Sequence, residues 1–181
     1  MLGPVNAQRY GSLRLASFEA IVAALSESRI RYLVVGGLAV NAHGYLRFTK
    51  DVDLVLDLDA PELPRALMAL KDMGYRPTVP VTIEAFADPA QRAEWIENQG
   101  MQVFQLWSDA HPETPIDIFA SLPFPFDVEY GQALRKVLHG SREVRFVSIS
   151  TLIEMKRRAG RPQDLVDVEH LRMRLEDGAD D

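Results

Sequence analysis

Asp51 and Asp53 are the side chains in this sequence best placed to do chemistry. In a β-strand, residues two apart point the same way, so Asp51-Val52-Asp53-Leu54 sets both carboxylates on one face while Val52, Leu54 and Leu56 turn to a core. Two carboxylates held close together repel unless a cation sits between them. A hard divalent ion with oxygen ligands is the natural occupant, Mg²⁺ where phosphates complete the shell, with Mn²⁺ as its substitute. Upstream, the apolar run Tyr32-Leu33-Val34-Val35 ends in Gly36-Gly37, a tight turn where backbone can approach a ligand with no Cβ in the way. Leu38 to His43 has helical composition, and the free N–H groups of a helix start facing that turn would make a phosphate cradle. A blander reading is that the glycines only close a turn and the aspartates are solvated strand ends. Against it, aspartate is disfavoured in strands, and here two interrupt an apolar run on one face.

Other candidates lie near and far. Arg47, Thr49 and Lys50 immediately precede the acidic strand. Of these Arg47 is preferred for phosphate because its fork matches phosphate oxygens, while alternation points Lys50 away from Asp51. Asp117, in Ile116-Asp117-Ile118-Phe119, is a carboxylate inside an apolar strand and needs a charged partner, either a cation or a nearby arginine. Asp127 competes weakly, since Phe124-Pro125-Phe126-Asp127 reads as a loop. The histidines, His43, His111, His139 and His170, have no metal-ligand spacing. No P-loop pattern appears, because the glycine pair lacks the following Lys-Ser/Thr.

In their order and spacing these residues resemble the nucleotidyltransferase superfamily of the DNA polymerase β type. Its signature is an apolar residue, Gly, then Gly or Ser, a spacer, and Asp-apolar-Asp/Glu-apolar. Val35-Gly36-Gly37 and Asp51-Val52-Asp53-Leu54 match it, with the spacer 38–50 at the long end. The resemblance implies an α/β (α+β) nucleotidyltransferase fold, a mixed β-sheet flanked by helices. It implies transfer of a nucleoside monophosphate from a nucleoside triphosphate such as ATP to a hydroxyl, with pyrophosphate release. Asp51 and Asp53 would bridge two metal ions, and Asp117, fitting the family's third carboxylate, would hold one of them and take the acceptor's proton. Gly36 and Gly37 would hold the β- and γ-phosphates, without the hydroxyl that relatives with Ser at the second position possess. Small prokaryotic members, minimal and AbiEii-like toxin types among them, look most similar. In the latter a Lys and an Asp on consecutive helices flank the nucleotide, and Lys156 and Asp164 resemble that pair. The acceptor is then a small molecule, a protein or an RNA end, and an antitoxin is a conceivable partner. The other readings are a catalytically silent member that binds nucleotide or a partner, and a glycosyl-transfer enzyme, against which the upstream glycine pair and the short chain argue.

Composition narrows the classes. With 181 residues, 47% of them hydrophobic, the chain can bury one good core. Residues 17–148 are expected to form the nucleotidyltransferase domain and 149–176 a C-terminal helical pair, with a loose lead-in at 1–16 and an acidic tail at 177–181. The net charge of −6 argues against a broadly basic nucleic-acid binder. No cysteine is present, which excludes disulfides and thiolate metal sites. No apolar run approaches the ~20 residues that span a bilayer, so a soluble cytoplasmic protein is expected.

The positioning elements follow in order. Phe18, Ile21, Val22 and Leu25 recur at helical spacing over Ser17 to Ser28. Asp59 as cap, with Pro61 and Glu62 behind it, starts a helix buried through Leu63, Leu67 and Leu70 and stopped by Gly74. Tyr75 to Val81 is an extended edge segment. Asp88-Pro89 opens a short helix to about Asn98, an insertion beside the site that either helps hold the acceptor or packs through Trp95. Met101 to Trp107 alternates as a half-buried strand, close enough to Ile116–Phe119 to pair as a hairpin. Val128 to Leu138 reads as short helix or irregular, and Arg142 to Val147 as the last strand. Thr151 to Glu154 fits a capping box, Gly160 ends that helix, and Pro162 opens another with Leu165, Val168, Leu171 and Leu175 as its stripe.

Overall fold

Leu33, Val34, Leu54, Val55 and Leu56 have no exposed surface, which is the pattern of strands covered on both faces. In the computed structural model, which describes residues 15–138 and 142–178, they form the central pair β1 (Tyr32–Val34) and β2 (Val52–Leu56). Around them lie β3 (Arg76–Pro77), β4 (Val103–Trp107), β5 (Ile116–Phe119), β6 (Leu134–Leu138) and β7 (Arg142–Phe146). The sheet order is β3-β4-β5-β2-β1-β7-β6. It is mixed: β2 runs antiparallel to β1 but parallel to β5, β7 runs parallel to β1, and β3–β4, β4–β5 and β6–β7 are antiparallel.

Seven α-helices accompany the sheet among the described residues: α1 (Leu15–Glu27), α2 (Gly36–Ala42), α3 (Leu63–Asp72), α4 (Pro89–Gln99), α5 (Phe126–Gln132), α6 (Ile149–Ala159) and α7 (Pro162–Asp177). The stripe Phe18, Ile21, Val22 and Leu25 is buried as its spacing requires, and α1 packs on α3 and β7. The hairpin expected from Met101 to Phe119 is present, with Phe104 opposite Ile118 and Leu106 opposite Ile116. The lead-in before residue 15, His139 and the last three residues of the tail lie outside the described residues. No described helix is long and apolar enough to cross a membrane.

Three local expectations are corrected. Helix α3 starts at Leu63 rather than behind an Asp59 cap. Pro64 has no N–H, so a helix begun at Ala60 or Pro61 would lose a required intrahelical hydrogen bond there; starting at Leu63 puts Pro64 in the first turn, where none is needed. Helix α6 is capped by Ser148, whose Oγ accepts from the Thr151 N–H at 3.4 Å, and no box links Thr151 to Glu154. The buried Glu129 on α5 completes that start by accepting from the Ser148 N–H and the Thr151 hydroxyl at 2.6 and 2.7 Å. The segment Val128 to Leu138 resolves into the end of α5 and an edge strand, β6, whose Arg135 and Lys136 are exposed. Basic side chains on an edge hide the strand from a periodicity reading and protect it from pairing with other chains.

The insertion is fastened to the sheet by stacked rings. Asp88 caps α4 by accepting from the Ala90 N–H at 2.9 Å, and Gly100 ends the helix with φ 65°. Trp95 and Phe86 both stack on Phe104, with centroids 5.9 and 4.6 Å away. Buried Arg92 donates to the Phe86 carbonyl at 2.7 Å and to the Leu58 carbonyl at 3.4 Å. Trp95 therefore acts as a packing anchor. Phe104→Ala is expected to cost about 3–5 kcal/mol in urea unfolding, because it removes the ring on which both others stack; a loss under 1 kcal/mol would show that the insertion is held by something else.

Candidate active site

The corner between β1 and α2 is compressed from two sides. The Val35 N–H donates to the Asp53 carbonyl at 2.9 Å, which draws β2 against the corner. Gly36 has φ +63°, and a Cβ there would run into the Asp53 carboxylate. A Cβ on Gly37 would collide with the Thr49 hydroxyl and lie 3.2 Å from Arg47 Nη2. Both glycines are thus demanded by close approach of side chains, one of them also by backbone conformation. They form the first turn of α2 itself rather than a turn ahead of it. Asn41 fastens the loop that follows: its amide donates to the Arg47 carbonyl at 3.0 Å and accepts from the Arg47 N–H at 2.9 Å.

Strand register brings the acids together. Asp53 of β2 stands directly opposite Asp117 of β5, and Asp51 precedes β2 by one residue. Burial pushes the Asp53 carboxyl up to about 7, with repulsion from Asp117 and Asp51 adding to it and Lys156 and the Gly37 backbone N–H opposing it. Asp117 is also raised by burial, against a hydrogen bond from Gln105 Nε2 at 3.0 Å. Repulsion from Asp51 adds to that rise, and Arg161 works against it. Among the described residues no arginine forms an ion pair with Asp117, so the salt-bridge alternative for this carboxylate does not hold. As the side chains stand, no described group of three or more His, Asp or Glu converges closely enough to hold a metal ion. The donor set is nonetheless all oxygen and carries repulsion that a hard cation would relieve.

A cavity of about 460 Å³ opens beside these acids, with Gly36, Asp53, Asp117, Lys156, Arg161 and Asp164 on its walls. Lys156, buried on α6, binds Asp164 Oδ1 at 2.7 Å and Asp167 Oδ2 at 3.0 Å. Asp167 has no exposed surface and also takes Arg47, Nη2 to Oδ2 at 2.9 Å and Nε to Oδ1 at 2.8 Å. Burial would raise the Asp167 carboxyl, but hydrogen bonds from Gln163, Lys156 and Arg47 outweigh it and hold it below the usual carboxylate range.

Gly36, Asp53, Asp117, Lys156 and Asp164 share the cavity wall, while Gly37, Arg47 and Thr49 crowd the start of α2. Asp51 couples electrically to both Asp53 and Asp117. Lys50 is exposed and its Nζ lies 6.0 Å from the Phe48 ring, as alternation requires. Asp127 is excluded, since it sits on α5 and pairs with Arg31 at 2.7 Å. Two expectations change. One edge of the Arg47 fork is spent on Asp167. The inward face of α7 carries Asp164 and Asp167 with Val168 and Leu171, leaving Leu165 56% and Leu175 44% exposed. Asn41, Gln105 and Asp167 were missed. The signal for Gln105 lay in the hairpin register opposite Asp117, and that for Asp167 in its i, i+3 spacing from Asp164.

The Asp53 carboxyl has an ordinary value of 3.8 and a folded value of about 7. Between these pH values the folded state holds a proton that the unfolded chain releases, so stability falls as pH rises through the window and the cost is complete above pH 7. Asp53→Asn is expected to raise Tm by a few degrees at pH 8 and to change it little at pH 4; an equal shift at both would rule out the buried charge as its cause.

No protein-family model matches this sequence, and no curated protein sequence does. Solved structures match it. The lincosamide antibiotic adenylyltransferase LnuA, with lincomycin bound, aligns at TM-score 0.59 and 15% identity, covering 89% of this chain and 98% of that one. The solution structure of the antibiotic-resistance factor ANT(2'')-Ia aligns at TM-score 0.53 and 14% identity, over 90% of this chain and 82% of that one. The crystal structure of ANT(2'')-Ia in complex with adenylyl-2''-tobramycin aligns at 0.51 and 14%, over 86% and 85%. At such identities the likeness is one of architecture: the mixed seven-stranded sheet with its flanking helices is the nucleotidyltransferase fold.

Proposed function

We propose that this chain transfers a nucleoside monophosphate from a nucleoside triphosphate to a hydroxyl, with pyrophosphate as the leaving group and Mg²⁺ or Mn²⁺ as the required cation. The observation that carries this reading is the register that sets Asp53 against Asp117 beside a glycine corner, with the Asp53 carboxyl pushed up to about 7. Asp51, Asp53 and Asp117 would hold the cation, which when bound supplies charge stabilisation at the attacking and leaving oxygens.

The residues of the chain account for the remaining steps. The acceptor oxygen bonds to the α-phosphorus as the bond from that phosphorus to the β-phosphate oxygen breaks. Asp117, made more basic by burial, takes the hydroxyl proton. Gln105 orients that carboxylate from the neighbouring strand. The Gly37 N–H is turned to Asp53 and serves to orient it, so Gly36, Thr49, Arg47 and Lys156 are the groups left for phosphate.

A small-molecule hydroxyl is the acceptor class to test first, because the structurally similar LnuA and ANT(2'')-Ia are an antibiotic adenylyltransferase and an antibiotic-resistance factor seen with an adenylylated antibiotic. ATP is the first nucleotide for the same reason. A toxin-type role on an RNA end or a protein, with an antitoxin partner, is the second class. One observation favours a binding-only member instead: Arg47 and Lys156 are already engaged by carboxylates.

Pyrophosphate release from each NTP with Mg²⁺ and a panel of alcohols tests the reading. Asp117→Asn is expected to lower turnover roughly 10²–10⁴-fold while circular dichroism and nucleotide binding persist. Unchanged turnover would remove Asp117 from the chemistry. Nucleotide binding with no turnover on any acceptor supports the binding-only member.

A further inference from the structure

Asp167 joins two elements that the chain keeps far apart. It lies on α7, yet it binds Arg47 from the loop between α2 and β2, 120 residues earlier, and Lys156 from α6. Neither cation is saturated by this. An ammonium has three N–H groups and Lys156 uses two, one on Asp164 and one on Asp167, which leaves the third for the cavity that Lys156 lines. A guanidinium has five. Arg47 turns one Nη2 hydrogen to Asp167 at 2.9 Å and one Nη1 hydrogen to the Phe48 carbonyl at 2.8 Å, while Nε lies 2.8 Å from Asp167 Oδ1 as an ion pair without a hydrogen bond. That leaves one N–H on each terminal nitrogen, with Nη2 beside Gly37. Both side chains are held nearly dry, Arg47 at 18% and Lys156 at 11% side-chain exposure.

We infer that Asp167 is a positioning residue: one buried carboxylate that fixes Arg47 and Lys156 together so that their unused N–H groups face the triphosphate. The role of the two cations rests on the nucleotidyl-transfer reading; the clamp itself does not. Asp167 touches no phosphate and acts through the side chains it holds. It also docks the loop carrying Arg47 and Thr49 onto α7, so that loop and the wall of the cavity are set by the same group.

Asp167→Asn, which keeps the shape and removes the charge, tests both parts. Hydrogen exchange across residues 44–50 is expected to rise relative to α1 and α3; protection unchanged there would overturn the clamp whatever the protein binds. Calorimetry with ATP and with AMP in Mg²⁺ gives the second readout. The variant is expected to lose roughly tenfold to a hundredfold in ATP affinity, as when other orienting carboxylates are removed, with AMP affinity nearly unchanged. If both nucleotides weaken equally, the carboxylate is merely structural and the positioning role fails. If the wild-type chain binds neither nucleotide, the transferase reading fails and the positioning role with it, while the exchange data still decide the clamp. Should Asp167→Asn not fold, the K156M/D167N pair, which removes one charge of each sign, is measured in its place with the same expected loss of ATP preference.

Discussion

Like charge held side by side on the wall of a half-buried cavity is the constraint around which this molecule is arranged. Asp53 and Asp117 come from strands that pair in register, so the backbone hydrogen bonds that build the sheet also force two carboxylates to be neighbours. A protein has no structural reason to keep such a pair, since burial and mutual repulsion both oppose ionisation. The surroundings soften the cost without cancelling it: Gln105 donates to one acid, the Gly37 N–H to the other, and Lys156 acts on Asp53 from the cavity wall. What is left is a site that resists being negative and would be most at ease with a cation present.

The cationic half of the site has the opposite character. Arg47, Lys156, Asp164 and Asp167 form a buried quartet with no net charge. Ion pairs of this kind add little to stability, because desolvation offsets most of their attraction, but removing one member leaves a buried charge uncompensated. Their value is geometric. They tie α6, α7 and the loop before β2 into one body, and these elements carry every candidate phosphate ligand except Gly36.

Much of the acidic half was legible in the residues because its signals are local. Gly36-Gly37 and Asp51-Val52-Asp53 announce a turn and a two-faced strand within a short stretch, and Asp117 stands out because its neighbours are isoleucines. The register joining Asp53 to Asp117 was not legible. It is set by packing across a segment that includes α3, the insertion and a hairpin, and no periodicity reports it. One member of the quartet, Asp167, was not legible for a related reason. A search for apolar stripes on α7 favours Leu165 and Leu175, which are exposed, over a face whose inward residues include two aspartates. Pro64 was overlooked because Asp59, Pro61 and Glu62 make a convincing start if its missing N–H is not counted. Basic β6 was lost because an exposed edge strand need not alternate.

The double hydrogen bond between Asn41 and the backbone of Arg47 does more than steady a loop. It closes a small ring of chain whose outermost member, Leu46, is 82% exposed. Substitutions at that tip change only what water sees. The rest of the ring is engaged, Tyr45 stacking on His170 with centroids 3.8 Å apart and the Gly44 carbonyl accepting from Arg174 at 3.1 Å, so within the ring it is Leu46 that is left to water.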